Sequence, residues 1–214
     1  MKMPLVDYLI AREGLPARQG QAYDYVLAGD GLFLVAENRY LEVRVPIAIA
    51  QVRGLTPIYA CCALRAGRLF GELWEGIVTT ARLWSLYGRE VLLAVTFEEP
   101  SGYRLLLPEQ AVGPERVFYR PPSHVVLQIH SHHHYAARFS PTDDADEQGL
   151  CLYGVLGRLD SDRSEVALRV GAYGHFLPVP WDSVFAGDRG AFRDANFDPI
   201  EDREPTEVGD GLQD

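Results

Sequence analysis

The sequence predicts an α/β fold with a small β-rich N-terminal unit, and three observations carry that prediction. Short apolar runs broken by Gly and Pro fill the first 66 residues. Residues 70–87 place apolar side chains at helical spacing. Beyond them, strand-like runs return, interrupted by one further helix signal. At 214 residues and 47% hydrophobic content, the chain can build one real core with a small accessory unit.

Each element has its own signal. Residues 23–28 and 32–36 are apolar runs split by Gly29-Asp30-Gly31, which predicts a tight hairpin. In residues 40–52, Leu41, Val43 and Val45 alternate onto one face. In the helix of residues 70–87, Leu73, Ile77, Ala81 and Trp84 share a face and Gly88 is placed to end it. Val91 to Val95 is unbroken apolar sequence, so residues 89–97 predict a strand buried on both faces. Residues 98–102 make a turn and 103–107 a second strand. Residues 108–123 hold four prolines and are expected as loop. Residues 125–129 form a further strand. Ser140 as N-cap and Pro141 at the first helical position predict a helix running to about residue 159. Residues 165–172 and 175–179 close as strands. The segments are therefore 1–66, 67–185 and an acidic tail, 186–214, expected to be disordered, with residues 199–214 in particular too polar to fold.

The net charge of -10 argues against nucleic acid as the main partner, because phosphate binding needs clustered Lys and Arg. Residues 186–214 supply most of that charge, with nine acids against three Arg. No apolar run approaches the roughly 18 residues of a membrane span, and residues 1–4 do not resemble a secretion signal. Cys61, Cys62 and Cys151 are odd in number and lack CxxC spacing, which fits reduced thiols in a cytoplasmic protein rather than a Cys-ligated metal.

The stretch with chemical content is His130-Ser131-His132, then seven residues, then Ser140-Pro141-Thr142-Asp143. Side chains alternate along a strand, so His130 and His132 point the same way. Asp143 can close the set across a loop. Two imidazoles, one carboxylate and an open position form the ligand set of a catalytic zinc rather than a structural one. His133 and His134 extend the run, as loop residues or as neighbours that support the ligands rather than as ligands themselves. Only Asp143, among Asp143, Asp144, Asp146 and Glu147, has the motif spacing.

This pattern resembles the JAMM motif of the JAB/MPN metalloproteases, over roughly residues 70–185. The resemblance implies an MPN (cytidine-deaminase-like) fold, a curved, mostly antiparallel sheet flanked by helices. It also implies a Glu opening the strand after the first helix, and the matching residue is Glu90. In that reading His130, His132 and Asp143 hold zinc. Glu90 is the general base and Ser140 donates to the oxyanion. Glu98 and Glu99 are rivals to Glu90 but fall in the turn beyond the strand. The implied reaction is hydrolysis of a peptide or isopeptide bond at the C-terminal tail of a ubiquitin-like protein. The loop of residues 133–139 would roof a narrow slot, with Tyr135 and Phe139 as walls and Arg138 facing a carboxylate. The equal alternative is that these three only pack the loop. The N-terminal unit with its compact core also resembles the A-type proteins of PRTRC modules, which include ubiquitin-activating-like and ubiquitin-like components. Two other readings stay open: a metal-free MPN-type scaffold, and a different zinc or phosphoester hydrolase that begins with His-x-His.

Overall fold

Alternating apolar residues organise the chain into two sheets with few helices. The computed structural model describes residues 4–112, 117–119 and 123–198. In the first sheet, β1 (Val6–Ile10), β2 (Tyr23–Ala28), β3 (Gly31–Glu37), β4 (Leu41–Ile49) and β5 (Cys61–Leu64) lie side by side in chain order. The pair β1/β2 is parallel and the others are antiparallel. The expected hairpin is β2/β3, and Leu41, Val43 and Val45 are buried together as their alternation predicts.

Those three residues, with Leu34 and Ala36, belong to the same core as the rest of the chain. The opposite face of the sheet, through Val26, Ala28, Phe33 and Val35, forms a smaller core with Ala11 and Ile58. The boundary expected at residue 66 is thus not a break between cores. Because a sheet has two faces, one can close the main core while the other holds its own cluster.

The second sheet follows α1 (Gly71–Ser85) and contains β6 (Leu92–Glu98), β7 (Gly102–Leu106) and β10 (Val125–Ser131). Between β7 and β10 lies a small hairpin of β8 (Gln110–Val112) and β9 (Val117–Tyr119), in a stretch expected to be loop throughout. After α2 (Pro141–Asp146) come β11 (Cys151–Gly157), β12 (Glu165–Ala172), β13 (His175–Pro178), α3 (Trp181–Val184) and β14 (Arg193–Asp194). The strand order is β13-β12-β11-β10-β6-β7, with β14 on β12. The sheet is mostly antiparallel, but β10 and β11 run parallel. Parallel neighbours need a long crossover, and residues 132–150 supply it, α2 included. No helix among the described residues is long and apolar enough to cross a membrane.

Helix α1 buries Trp74, Ile77 and Ala81. The Trp74 ring lies 5.6, 5.1 and 5.1 Å from those of Trp181, Phe185 and Phe192. Its C-terminus closes as predicted at Gly88, which sits in the left-handed region (φ 63°). There Gly88 N donates to Ser85 O and Arg89 N to Trp84 O, a Schellman closure. That closure turns the chain sharply and delivers Glu90 to the start of β6.

Two expectations fail. The helix starting at Ser140 ends at Asp146, and Cys151–Gly157 is a strand with all seven residues buried. A short apolar run is ambiguous between helix and strand, and the glycines decide here. A Cβ on Gly154 would lie 2.8 Å from Leu168 Cδ2 and 2.9 Å from Ile129 Cδ1. The tail is also ordered further than expected. Beyond residue 185, Phe192 joins the core and Asp194, 2% exposed, accepts a hydrogen bond from Trp181 N. One aromatic anchor and a buried carboxylate outweigh the acidic composition of this stretch. Residues 199–214, expected to be disordered, lie outside the described residues.

Gly157 sets a test of the crossover. A Cβ there would lie 2.3 Å from Ala137 N and 2.5 Å from Tyr135 O, both backbone atoms that cannot swing aside. Gly157→Val is expected to lower stability by about 1–3 kcal/mol. Urea unfolding would show a lower midpoint at unchanged slope. An unchanged midpoint would mean that the loop yields freely.

Candidate metal centre

His130 is the penultimate residue of β10, and His132 follows the strand while still pairing to β11 through His132 N to Leu156 O, 2.7 Å. Both rings therefore leave the same face, as alternation predicts. Their Nε2 atoms lie 3.0 Å apart. Asp143 Oδ1 approaches His130 Nε2 to 3.6 Å. One ligand atom from each of His130, His132 and Asp143 falls within 4.8 Å of the others.

The donor set fits a small divalent cation. Ligand atoms at about 2.0–2.1 Å from a tetrahedral zinc stand about 3.3 Å apart, and the two distances above bracket that value. Nδ1 of His132 lies 3.4 Å from Ala136 O. Donating there leaves the Nε2 lone pair for a metal. Burial lowers the His130 pKa to about 4, although Asp143 pulls it back up. His130 is thus the neutral imidazole that ligation requires. The two facing Nε2 atoms can share a hydrogen bond, with one neutral ring as the Nε2–H tautomer, or hold a cation between them.

Asp143 divides its two oxygens. While Oδ1 faces His130, Oδ2 accepts from Ser140 N at 2.6 Å and from Ser140 Oγ at 2.7 Å. In return, Asp143 N donates to Ser140 Oγ at 3.2 Å, completing a capping box. Burial would push this carboxyl up. His130 and the Ser140 hydrogen bonds outweigh it and hold the pKa below the ordinary value. Ser140 is expected to serve an oxyanion. Here its hydroxyl is directed at Asp143, so it must rotate to do so.

Glu90 precedes β6, and its position follows from register. His130 pairs with Leu92, and Ser131 N donates to Val91 O at 3.0 Å. Extending that register past the last ladder pair would set Glu90 opposite His132, and opposing residues of an antiparallel pair share a face. Glu90 is partly buried and close enough to act on the His133 titration. Glu98 lies at the other end of β6, roughly 20 Å away at 3.4 Å per residue, so neither it nor Glu99 reaches the histidines.

The remaining histidines fall outside the cluster. His133 holds a left-handed turn (φ 46°) and contacts Ser85 Oγ at 3.3 Å. His134 lies tilted against Tyr135, with ring centroids 4.2 Å apart. His124 and His175 pair with the hydroxyls of Tyr40 and Tyr25. In the loop of residues 133–139, Tyr135 and Arg138 are exposed. Phe139 instead packs on the Arg169 guanidinium, 3.7 Å from ring centre to Cζ.

Several supporting residues were not read from sequence. Ser131, fully buried, accepts from Val91 N at 3.0 Å and so fixes the chain beside Glu90. Glu165 accepts from Ala137 N at 3.1 Å and from Arg158 and Arg193, tying the loop of residues 133–139 to β12. Arg169, 7% exposed, donates to Asp144 and Glu147. Burial pushes the Glu147 carboxyl up to about 7, against the pull of Arg169. The available signal was a charge inside an apolar strand, since a buried charge must be paired.

Neither a protein-family model nor a curated protein matches this chain.

Proposed function

We propose that this protein is a zinc-dependent hydrolase of peptide or isopeptide bonds, with a metal site of the JAB/MPN type. The carrying observation is the convergence of His130, His132 and Asp143 within 4.8 Å, with Ser140 bonded to Asp143; the register of β6 and β10, extended, would bring Glu90 to the same face. The two-sheet α/β architecture, with the histidines at the end of a sheet strand, is compatible with the MPN fold.

Zinc held there supplies Lewis acidity, which makes a water nucleophilic near neutral pH and polarises a carbonyl. Glu90 takes the proton of the attacking water and passes it to the leaving amine. Ser140 turns its hydroxyl from Asp143 Oδ2 to the developing oxyanion. Ser140 N keeps Oδ2 in place meanwhile, so Asp143 need not move.

The proposed substrate is a ubiquitin-like protein whose tail ends in Gly-Gly, with ubiquitin-activating-like proteins as further partners. The Tyr135–Arg138 side of the loop borders the slot, and Phe139 supports it from behind through Arg169. A fusion of a ubiquitin-like protein to a reporter through Gly-Gly is expected to be cut, and a chelator to stop the reaction. Changing the last Gly to Val should slow cleavage at least about tenfold, since a β-branched residue fills space the backbone needs. Equal rates for the two fusions would remove the narrow-slot model and the case for this substrate class.

A further inference from the structure

We propose that Arg169 is a positioning residue for Asp143, holding the ligand-bearing helix α2 against the sheet that carries the two histidines. This inference rests on the zinc reading above. His130 and His132 ride on β10 and Asp143 on α2, so the site exists only if those two elements keep their separation. Helix α2 spans six residues and buries none of them. A helix so short has little stability of its own, and the capping box fixes its first turn only locally.

Arg169 supplies a tie to the sheet. It projects from the middle of β12, two strands from β10. Its Nη1 donates to Asp144 Oδ1 at 2.6 Å. Its Nε and Nη2 donate to Glu147 Oε2 at 2.9 and 2.6 Å. Asp144 follows the ligand directly, and Glu147 N donates to Asp143 O at 2.9 Å. One guanidinium therefore holds both the residue that follows the ligand and the C-cap residue whose N–H bonds the ligand's carbonyl. The guanidinium is held in turn, with its Cζ 3.7 Å from the Phe139 ring centre and 3.8 Å from that of Phe176. Phe139 directly precedes Ser140, so the same group steadies the entry to the helix and its exit. A planar fork between two rings cannot be replaced by an ammonium.

The test compares zinc affinity, by competition with a chromophoric chelator at pH 8, in wild type, Arg169→Met, Arg169→Lys and Glu147→Ala. Cobalt(II) absorption reports the coordination geometry, and thermal melting of the metal-free proteins reports folding. Met keeps an apolar stem between the rings but no donors. Both Arg169 variants are expected to bind zinc about 10–100-fold more weakly, with Lys recovering part of the loss. Their cobalt bands should weaken as Asp143 disengages. Glu147→Ala leaves Asp144 on Arg169 and should show a smaller fall in a folded protein. It decides the matter if Arg169→Met does not fold. Wild-type affinity and an unchanged cobalt spectrum in the folded variants would overturn the inference while leaving the zinc reading intact. A wild-type protein that binds no metal would overturn both.

Discussion

Glu90→Gln is expected to lower turnover by about 10²–10⁴-fold while zinc content stays unchanged. The amide is nearly isosteric with the carboxylate, but it cannot accept the proton of the attacking water or return it to the leaving amine. Glu90 is not one of the three clustered ligand residues, so the metal should stay. Its backbone should also stay, because Val91 is pinned on both sides by Ser131: N to Ser131 Oγ and O to Ser131 N, both at 3.0 Å. Parallel assays of rate and zinc content check this. Near-normal turnover in Glu90→Gln would place the base elsewhere. Glu98→Gln and Glu99→Gln serve as controls and should leave the rate unaffected, since β6 carries both residues away from the histidines.

The second large effect is expected at His132. Removing its imidazole leaves His130 and Asp143, one nitrogen and one oxygen, which is too few protein ligands for a stable catalytic zinc. His132→Ala should therefore lose zinc on dialysis and activity with it. The fold should survive, because the residue follows β10 and its ring meets His130 Nε2 at 3.0 Å and Ala136 O at 3.4 Å rather than the apolar core. Metal analysis after dialysis, with a thermal melt beside it, checks both halves. Full zinc retention would exclude His132 as a ligand.

The parts of this protein legible in its sequence are those set by local periodicity. Alternation places His130 and His132 together, and Ser-Pro followed by Asp143 marks a helix start that the capping box realises. Gly88 ends α1 where a left-handed residue is needed. What was not legible depends on contacts across the chain. The run from Cys151 to Gly157 satisfies a helix pattern as well as a strand pattern, and only packing against Ile129 and Leu168 decides. Arg169 finds its partners 25 and 22 residues earlier, on α2 and its C-cap, and no local pattern announces them. Of the N-terminal strands, β2, β3 and β4 are legible in the sequence and β1 and β5 are not, and alternation cannot say that one face of the sheet completes the main core. Phe139 illustrates the same limit: an aromatic beside the motif suits a slot wall as well as a platform for an arginine, and it serves as the platform.

The central claim is that His130, His132 and Asp143 hold a functional zinc, and metal stoichiometry tests it most directly. Protein prepared without a histidine tag should contain about one zinc per chain by elemental analysis. A chelator should remove metal and hydrolytic activity together, and added zinc should restore both. Protein that carries no zinc and takes up none on titration would contradict the account and favour a metal-free scaffold.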